Sequence, residues 1–214
     1  VQKRGDGQYY VRGTFTKYNK DFTNDVLHFF DQGFEQISIE PVVTDPKLPY
    51  ALTEEDLPEV FAEYEKLAKV IIEKRKNGEF FNFFHFMIDL DQGPCAIKRL
   101  RGCGCGNEYV SVTPEGDVYP CHQFVGKKEW IMGSVNDLSL NTEIKDSFAK
   151  TTVYTKPECR TCWAKFYCSG GCNANNLEYA GAIKKPYKLA CDLEKKRLEC
   201  AIMIKAALAD LEIE

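Results

Sequence analysis

Cys159, Cys162, Cys168 and Cys172 form a C-x₂-C-x₅-C-x₃-C run, and this run constrains the chain more than any other stretch. Packing alone does not call for sulfur at that density. Thiolates two residues apart across a tight loop can converge on one metal centre, and soft donors in such number select zinc or iron–sulfur clusters. Ser169, Gly170 and Gly171, just before Cys172, let the backbone take unusual dihedrals and approach such a centre closely. Taken alone, the run fits zinc as well as iron–sulfur.

The rest of the composition narrows the choice. The chain has 10 cysteines in 214 residues, and none precedes Cys95. The first ninety-four residues read as ordinary cytosolic α/β protein, so metal ligation in a reducing cytoplasm is expected rather than a secreted disulfide framework. A net charge of −4, from 28 basic and 32 acidic residues without a block of one sign, gives no support for nucleic-acid binding. No run of eighteen apolar residues exists, so no membrane span is expected. The start, Val1 to Gly7, lacks an apolar signal region and reads as the middle of a longer protein.

Residues 8–16 are rich in aromatic and β-branched side chains and predict a strand. Val26, Leu27 and Phe30 recur at helical spacing, with Gly33 where a C-terminal cap belongs. Residues 36–43 predict a second strand, which makes the segment a right-handed βαβ unit with parallel strands. Thr53 with Asp56 marks the start of a long helix. Leu57, Val60, Phe61, Tyr64, Leu67 and Ile71 are its apolar stripe, and Gly78 closes it. Two strands and two helices are the last part of a parallel-sheet domain, of the kind that carries ligands at its carboxyl strand ends. The aromatic stretch from Phe80 to Leu90 fits helix or strand, and His85 within it reads as a satisfied core histidine.

Residues 108–113 and 118–121 predict two short strands around the turn formed by Pro114, Gly116 and Asp117, hence a β-hairpin. The hairpin brings Cys103 or Cys105 near Cys121. Residues 130–135 are a candidate third strand, and a helix is expected around Glu143 to Lys150. Two four-iron clusters with full protein ligation need eight thiolates, and residues 95–191 supply nine. Cys200 lies on the apolar face of a terminal helix with Leu193 and Leu208 and reads as a small buried hydrophobe. His122, next to Cys121, reads as a hydrogen-bond donor to the cluster shell or a solvent-facing side chain rather than a ligand.

Cys103 or Cys105, then Gly116 and Cys121, then the four-cysteine run, then Cys191 resemble the SPASM domain of radical S-adenosylmethionine enzymes. The resemblance implies two auxiliary [4Fe–4S] clusters following a partial (β/α)₆ barrel. The fold class is then α/β plus a small α+β part. Residues 1–93 would be the last strands and helices of the barrel, and residues 94–214 the SPASM domain with its hairpin and C-terminal helix. Residues 10–16 and 34–42 resemble a narrower group, the maturases of six-cysteine "SCIFF" peptides. Those enzymes form thioether cross-links from cysteine sulfur to a backbone carbon. The resemblance implies S-adenosylmethionine and a third [4Fe–4S] cluster in the intact enzyme, a ribosomally made cysteine-rich precursor peptide as substrate, and an electron donor such as a flavodoxin or ferredoxin. Neither nucleic acid nor membrane is an expected partner.

The family pattern of ligands crosses over in sequence. Cys159, Cys162 and Cys168 take Cys191 for one cluster, while Cys172 joins Cys103 and Cys121 for the other. Cys105 or Cys95 is the fourth ligand of the latter, or an iron is left open for a substrate thiolate. Arg12 and Glu40 are candidates for contacting S-adenosylmethionine or peptide, with a salt bridge at the rim of the barrel as the alternative. The family's C-x₃-C-x₂-C motif is absent from these residues. If the family mechanism applies, this chain is the C-terminal portion of an enzyme and is inactive alone. Two other readings compete: a SPASM enzyme that oxidises a sulfatase residue to formylglycine, and a non-catalytic zinc-binding module.

Overall fold

A computed structural model describes residues 8–90 and 99–209. The chain divides into two compact units, Val1–Gln92 with Asp192–Glu214, and Gly93–Cys191.

In the first unit, β1 (Val11–Phe15), β2 (Gln36–Pro41) and β3 (Asn82–Phe83) form a parallel sheet in that order. The helices α1 (Phe22–Asp31) and α2 (Leu57–Lys76) connect them. The third strand comes from the aromatic stretch, which the sequence left open between helix and strand; after Phe83 it turns into a single tight turn over Phe84–Phe86. Register puts Val11 opposite Ile37, and Ile37 opposite Phe83. With the period of two along each strand, Phe15, Ile37, Ile39 and Phe83 share one face, and all four are buried. Phe15 stacks on Phe22 of α1 with centroids 4.5 Å apart, and Phe22 meets Tyr64 of α2 at 4.8 Å. Aromatic contacts of this kind add about 0.5–1.5 kcal/mol each beyond area burial.

The Thr53–Asp56 pair caps a single 3₁₀ turn, Glu54–Asp56, that leads into α2. The Thr53 backbone N–H and hydroxyl both donate to the Asp56 carboxylate, each at 3.0 Å. Gly33 and Gly78 follow α1 and α2 with φ of 83° and 77°. The C-terminal helix α7 spans Lys188–Leu208. From Asp192 onward it belongs to this first unit, although sequence order groups it with the cysteine-rich part. The physical reason is its apolar face: Leu193, Leu198, Cys200, Ala201 and Leu208 are buried, and Arg197 Nε donates to Tyr64 Oη at 3.1 Å.

The second unit contains a four-stranded antiparallel meander, β4 (Ser111–Val112), β5 (Asp117–Tyr119), β6 (Gly133–Ser134) and β7 (Ser139–Leu140). The expected hairpin is β4–β5, shorter than the apolar runs that announce it, and the strand sought in residues 130–135 is β6. Next come α3 (Thr142–Ala149), α4 (Pro157–Arg160), α5 (Lys165–Cys168), α6 (Asn173–Ala180) and α7 (Lys188–Leu208). Asn141 caps α3 by accepting from the N–H groups of Glu143 and Ile144. The core here is small. Phe124, Trp130 and Phe148 pack with centroids 5.0–5.7 Å apart, and Cys105, Cys121 and Tyr119 bury beside them.

Candidate metal centre

The four-cysteine run does not stay together. α5 ends at Cys168, and Ser169, Gly170 and Gly171 then take φ of 59°, 86° and 71°. Three consecutive left-handed residues reverse the chain. Cys172 therefore opens α6 as its N-cap instead of following Cys168 one turn along a helix. The loop carrying Cys103 and Cys105 packs on this reversal. A Cβ on Gly102 would lie 3.4 Å from the Ser169 carbonyl and 3.7 Å from that of Gly171.

Cys103, Cys105, Cys121 and Cys172 form one neighbourhood. Cys105 donates a hydrogen bond to the Cys103 sulfur, and with the Cys105 backbone N–H and the Tyr109 hydroxyl this lowers the Cys103 thiol to a pKa of about 5. Tyr109 Oη lies 3.7 Å from that sulfur. The same hydrogen bond, and then burial, push the Cys105 thiol up. Burial is also the first cause holding Tyr109 up. Cys121 is raised by burial and by the charges of Cys172 and Cys103, against hydrogen bonds from the N–H groups of Gln123 and Phe124. Gln123 Nε2 approaches Cys172 Sγ at 4.0 Å. Cys103 is exposed and Cys105 and Cys121 are buried.

Cys159, Cys162 and Cys168 form a second neighbourhood. Cys159 is buried at the turn of α4, where Pro157 begins the helix. Its thiol is raised by burial, and Cys168 and Cys162 act on it in the same direction while Lys156 opposes them. Cys191 lies on α7 and shares with Cys159, Cys168 and Cys105 an electrostatic interaction with Lys156. Burial lowers the pKa of Lys156, and the cysteine charges oppose that.

Among the described residues, no three cysteine, histidine or carboxylate side chains gather for a single metal ion. A four-iron cluster takes each thiolate on a different iron, so its ligands ring the cluster rather than meet at a point. The donor chemistry fits such a group: sulfur donors only, backbone N–H groups directed at Cys121, and a left-handed loop joining the two neighbourhoods. Cys95 lies outside the described residues. His122 is exposed at the start of a tight turn, and Cys200 is buried in the first unit.

Arg12 and Glu40 form an ion pair on the sheet face opposite the helices. That face is polar throughout. Ser38 Oγ donates to Glu40 Oε1 at 3.3 Å, and Asn82 Nδ2 donates to Gln36 Oε1 at 3.2 Å. His85 departs from the sequence expectation. Its Nε2 is buried with no hydrogen-bond partner among the described residues. Burial first, then the charges of Arg197 and Arg12, lower its pKa to about 3. The aromatic run explains this, because Phe83 and Phe84 crowd the ring and neither offers an acceptor. Composition signalled an aromatic core but could not reveal the missing acceptor. Sequence reasoning also missed Lys156, Asn173 and Asn176. All three are buried polar residues, and the only signal was their place within the cysteine-rich stretch.

The comparison with curated proteins gives no match. Among solved structures, native anSMEcpe with bound AdoMet superposes with a TM-score of 0.69 at 18% identity, covering 99% of this chain and 60% of that one. Native anSMEcpe with bound AdoMet and the Cp18Cys peptide gives 0.66 at 18% identity, covering 97% and 59%. The form with the Kp18Cys peptide gives 0.61 at 19%, covering 96% and 59%. The chain thus spans about three-fifths of the length of the structures it matches. In fold it is similar to anSMEcpe, and over residues 103–163 it matches SPASM, an iron–sulfur cluster-binding domain.

Proposed function

We propose that this chain is the C-terminal part of a radical S-adenosylmethionine peptide maturase. The enzyme forms cysteine-to-carbon thioether cross-links in a ribosomally made peptide, and this part carries two auxiliary [4Fe–4S] clusters. The observation that supports it most is the division of the cysteines. Cys103, Cys105, Cys121 and Cys172 neighbour one another, apart from Cys159, Cys162 and Cys168. In this reading Cys103, Cys121 and Cys172 hold one cluster, with Cys105 or Cys95 as fourth ligand or an iron left for a peptide thiolate. Cys159, Cys162, Cys168 and Cys191 hold the other. When bound, the clusters supply one-electron exchange at potentials set by charge, hydrogen bonding and burial. The chain's own residues supply the rest. Tyr109 and Asn173 donate to sulfur, and the Phe124–Trp130–Phe148 core fixes the loop that presents Cys121.

On the parallel sheet, the polar face bearing Arg12 and Glu40 is the candidate surface for S-adenosylmethionine or peptide. Parallel sheets are covered on both faces by apolar layers unless one face serves a ligand or solvent. The peptide is the substrate, and a flavodoxin- or ferredoxin-type donor supplies electrons to the intact enzyme.

A second reading, a formylglycine-forming maturase, is favoured by the likeness in fold to anSMEcpe. Anaerobic reconstitution tests the shared part: about eight iron and eight sulfide per chain are expected. Stoichiometric zinc without sulfide would sink both readings and leave the zinc module. A cysteine-containing precursor peptide separates the two maturases. In the thioether enzyme it perturbs the spectrum of the cluster bound by Cys103, Cys121 and Cys172, and the intact enzyme converts it to a product lighter by one hydrogen pair per cross-link. Peptide without effect on either measure counts against the thioether reading.

A further inference from the structure

Lys156 is a buried cation without a buried anion. Its side chain is 2% exposed. Its Nζ donates to the Gly170 carbonyl at 2.6 Å and to Asn173 Oδ1 at 3.0 Å, both neutral. No carboxylate lies within ion-pairing distance of it among the described residues. Room for the ammonium is reserved by the absence of a side chain, since a Cβ on Gly170 would sit 3.2 Å from Nζ. The surroundings are equally ordered. Asn176 Nδ2 also donates to the Gly170 carbonyl at 3.2 Å, and its Oδ1 accepts from the Tyr187 N–H at 2.9 Å. Asn173 turns its amide nitrogen to Cys105 Sγ at 3.7 Å.

Burying an ammonium against dipoles alone costs several kcal/mol, and such charges survive when a compensating charge is present. The candidates for that charge are sulfur. Cys159 lies one turn on, its N–H donating to the Lys156 carbonyl at 3.0 Å, and Asn173 links the ammonium to Cys105 Sγ. Burial lowers the pKa of Lys156, and the charges of Cys159, Cys168, Cys105 and Cys191, from both neighbourhoods, oppose that. A positive charge held in a low-dielectric interior favours any neighbour that gains an electron, and it does so far more strongly there than in water.

We propose that Lys156 is the shared counter-cation of the two cysteine centres, biasing both bound clusters toward their reduced state. This rests on the iron–sulfur reading above. Lys156 is a positioning and tuning residue rather than a ligand, because an ammonium has no lone pair to offer. One charge placed beside both centres also links them, since reduction of one offsets part of the positive charge felt by the other.

The test compares the iron–sulfur-loaded full chain with Lys156→Gln and Lys156→Arg. Gln keeps hydrogen-bond donors and removes the charge; Arg keeps the charge. Reductive titration followed by electron paramagnetic resonance reads each centre, with iron and sulfide measured in parallel. In Lys156→Gln the reduced-to-oxidised ratio at a fixed potential should fall at least tenfold for both centres, about 59 mV for a one-electron couple. Lys156→Arg should stay within threefold of the parent protein. Loss of iron from Lys156→Gln but not from Lys156→Arg also supports the proposal, because charge is then what loading needs. Unchanged ratios in Lys156→Gln, a change at one centre only, or loss of iron from both variants would overturn it. A parent chain that takes up no iron or sulfide instead overturns the iron–sulfur reading itself.

Discussion

The side-chain amide of Asn173 donates to the Sγ of Cys105 at 3.7 Å, joining residues 68 positions apart in sequence. Its oxygen accepts from the Lys156 ammonium at 3.0 Å. One amide thus faces sulfur with its positive end and a cation with its negative end. That orientation fixes the start of α6, and with it Cys172, against the loop of Cys105.

Asn173→Leu should therefore destabilise the second unit. It strands the ammonium with one acceptor and removes a donor from sulfur, and hydrogen bonds to charged groups are worth about 1.5–3 kcal/mol. A loss of about 3 kcal/mol is expected, seen as a lower urea midpoint with an unchanged slope. A midpoint equal to the parent's would mean that the amide is replaceable packing.

The cysteine variants should separate by centre. Cys172→Ala is expected to remove or alter the cluster assigned to Cys103 and Cys121, and Cys191→Ala the one assigned to Cys159, Cys162 and Cys168. Each variant should lose up to half the iron, with a different electron paramagnetic resonance signal surviving in each. Loss of the same signal from both would refute the division.

His85 predicts an acid limb of stability. Unfolded, its imidazole takes a proton near pH 6.5; folded, it does so only near pH 3. The unfolded chain therefore binds more protons between those values. Stability contributed by the neutral ring is complete above pH 6.5 and is lost as the pH falls toward 3. At pH 5 the loss should be about 1–2 kcal/mol, allowing for a ring that is partly accessible. His85→Phe should flatten that limb relative to the parent; an equal slope in both proteins would show that the ring takes its proton at the same pH folded as unfolded.

Gly106 should not tolerate a side chain. Its φ is 71°, and an added Cβ would stand 2.7 Å from the Phe148 ring. Gly106→Ala should cost about 2–4 kcal/mol, from left-handed strain and from overpacking the small core. Phe148 is buried between Phe124 and Trp130 and has little freedom to retreat. A thermal midpoint within a degree of the parent would contradict this.

Local chemistry made much of this protein legible. Apolar spacing set α1 and α2, Thr53 with Asp56 marked a helix start, β-branched and aromatic runs gave β1 and β2, and a turn rich in Pro114, Gly116 and Asp117 gave the β4–β5 hairpin. Each of these depends on residues within a few positions of one another, so sequence suffices. The sulfur-rich character of the site is likewise written in composition. Tertiary structure decided the rest. Cys168 and Cys172 are four residues apart, yet three left-handed residues between them send Cys172 into the company of Cys121. Phe83 becomes a strand because Ile37 offers it an edge, and His85 Nε2 is buried beside Phe83 and Phe84, which offer it no acceptor. Lys156 reads as one more surface lysine until Gly170 and Asn173 enclose it. Burial and electrostatic company are sums over neighbours distant in sequence, and only the folded chain brings those neighbours together.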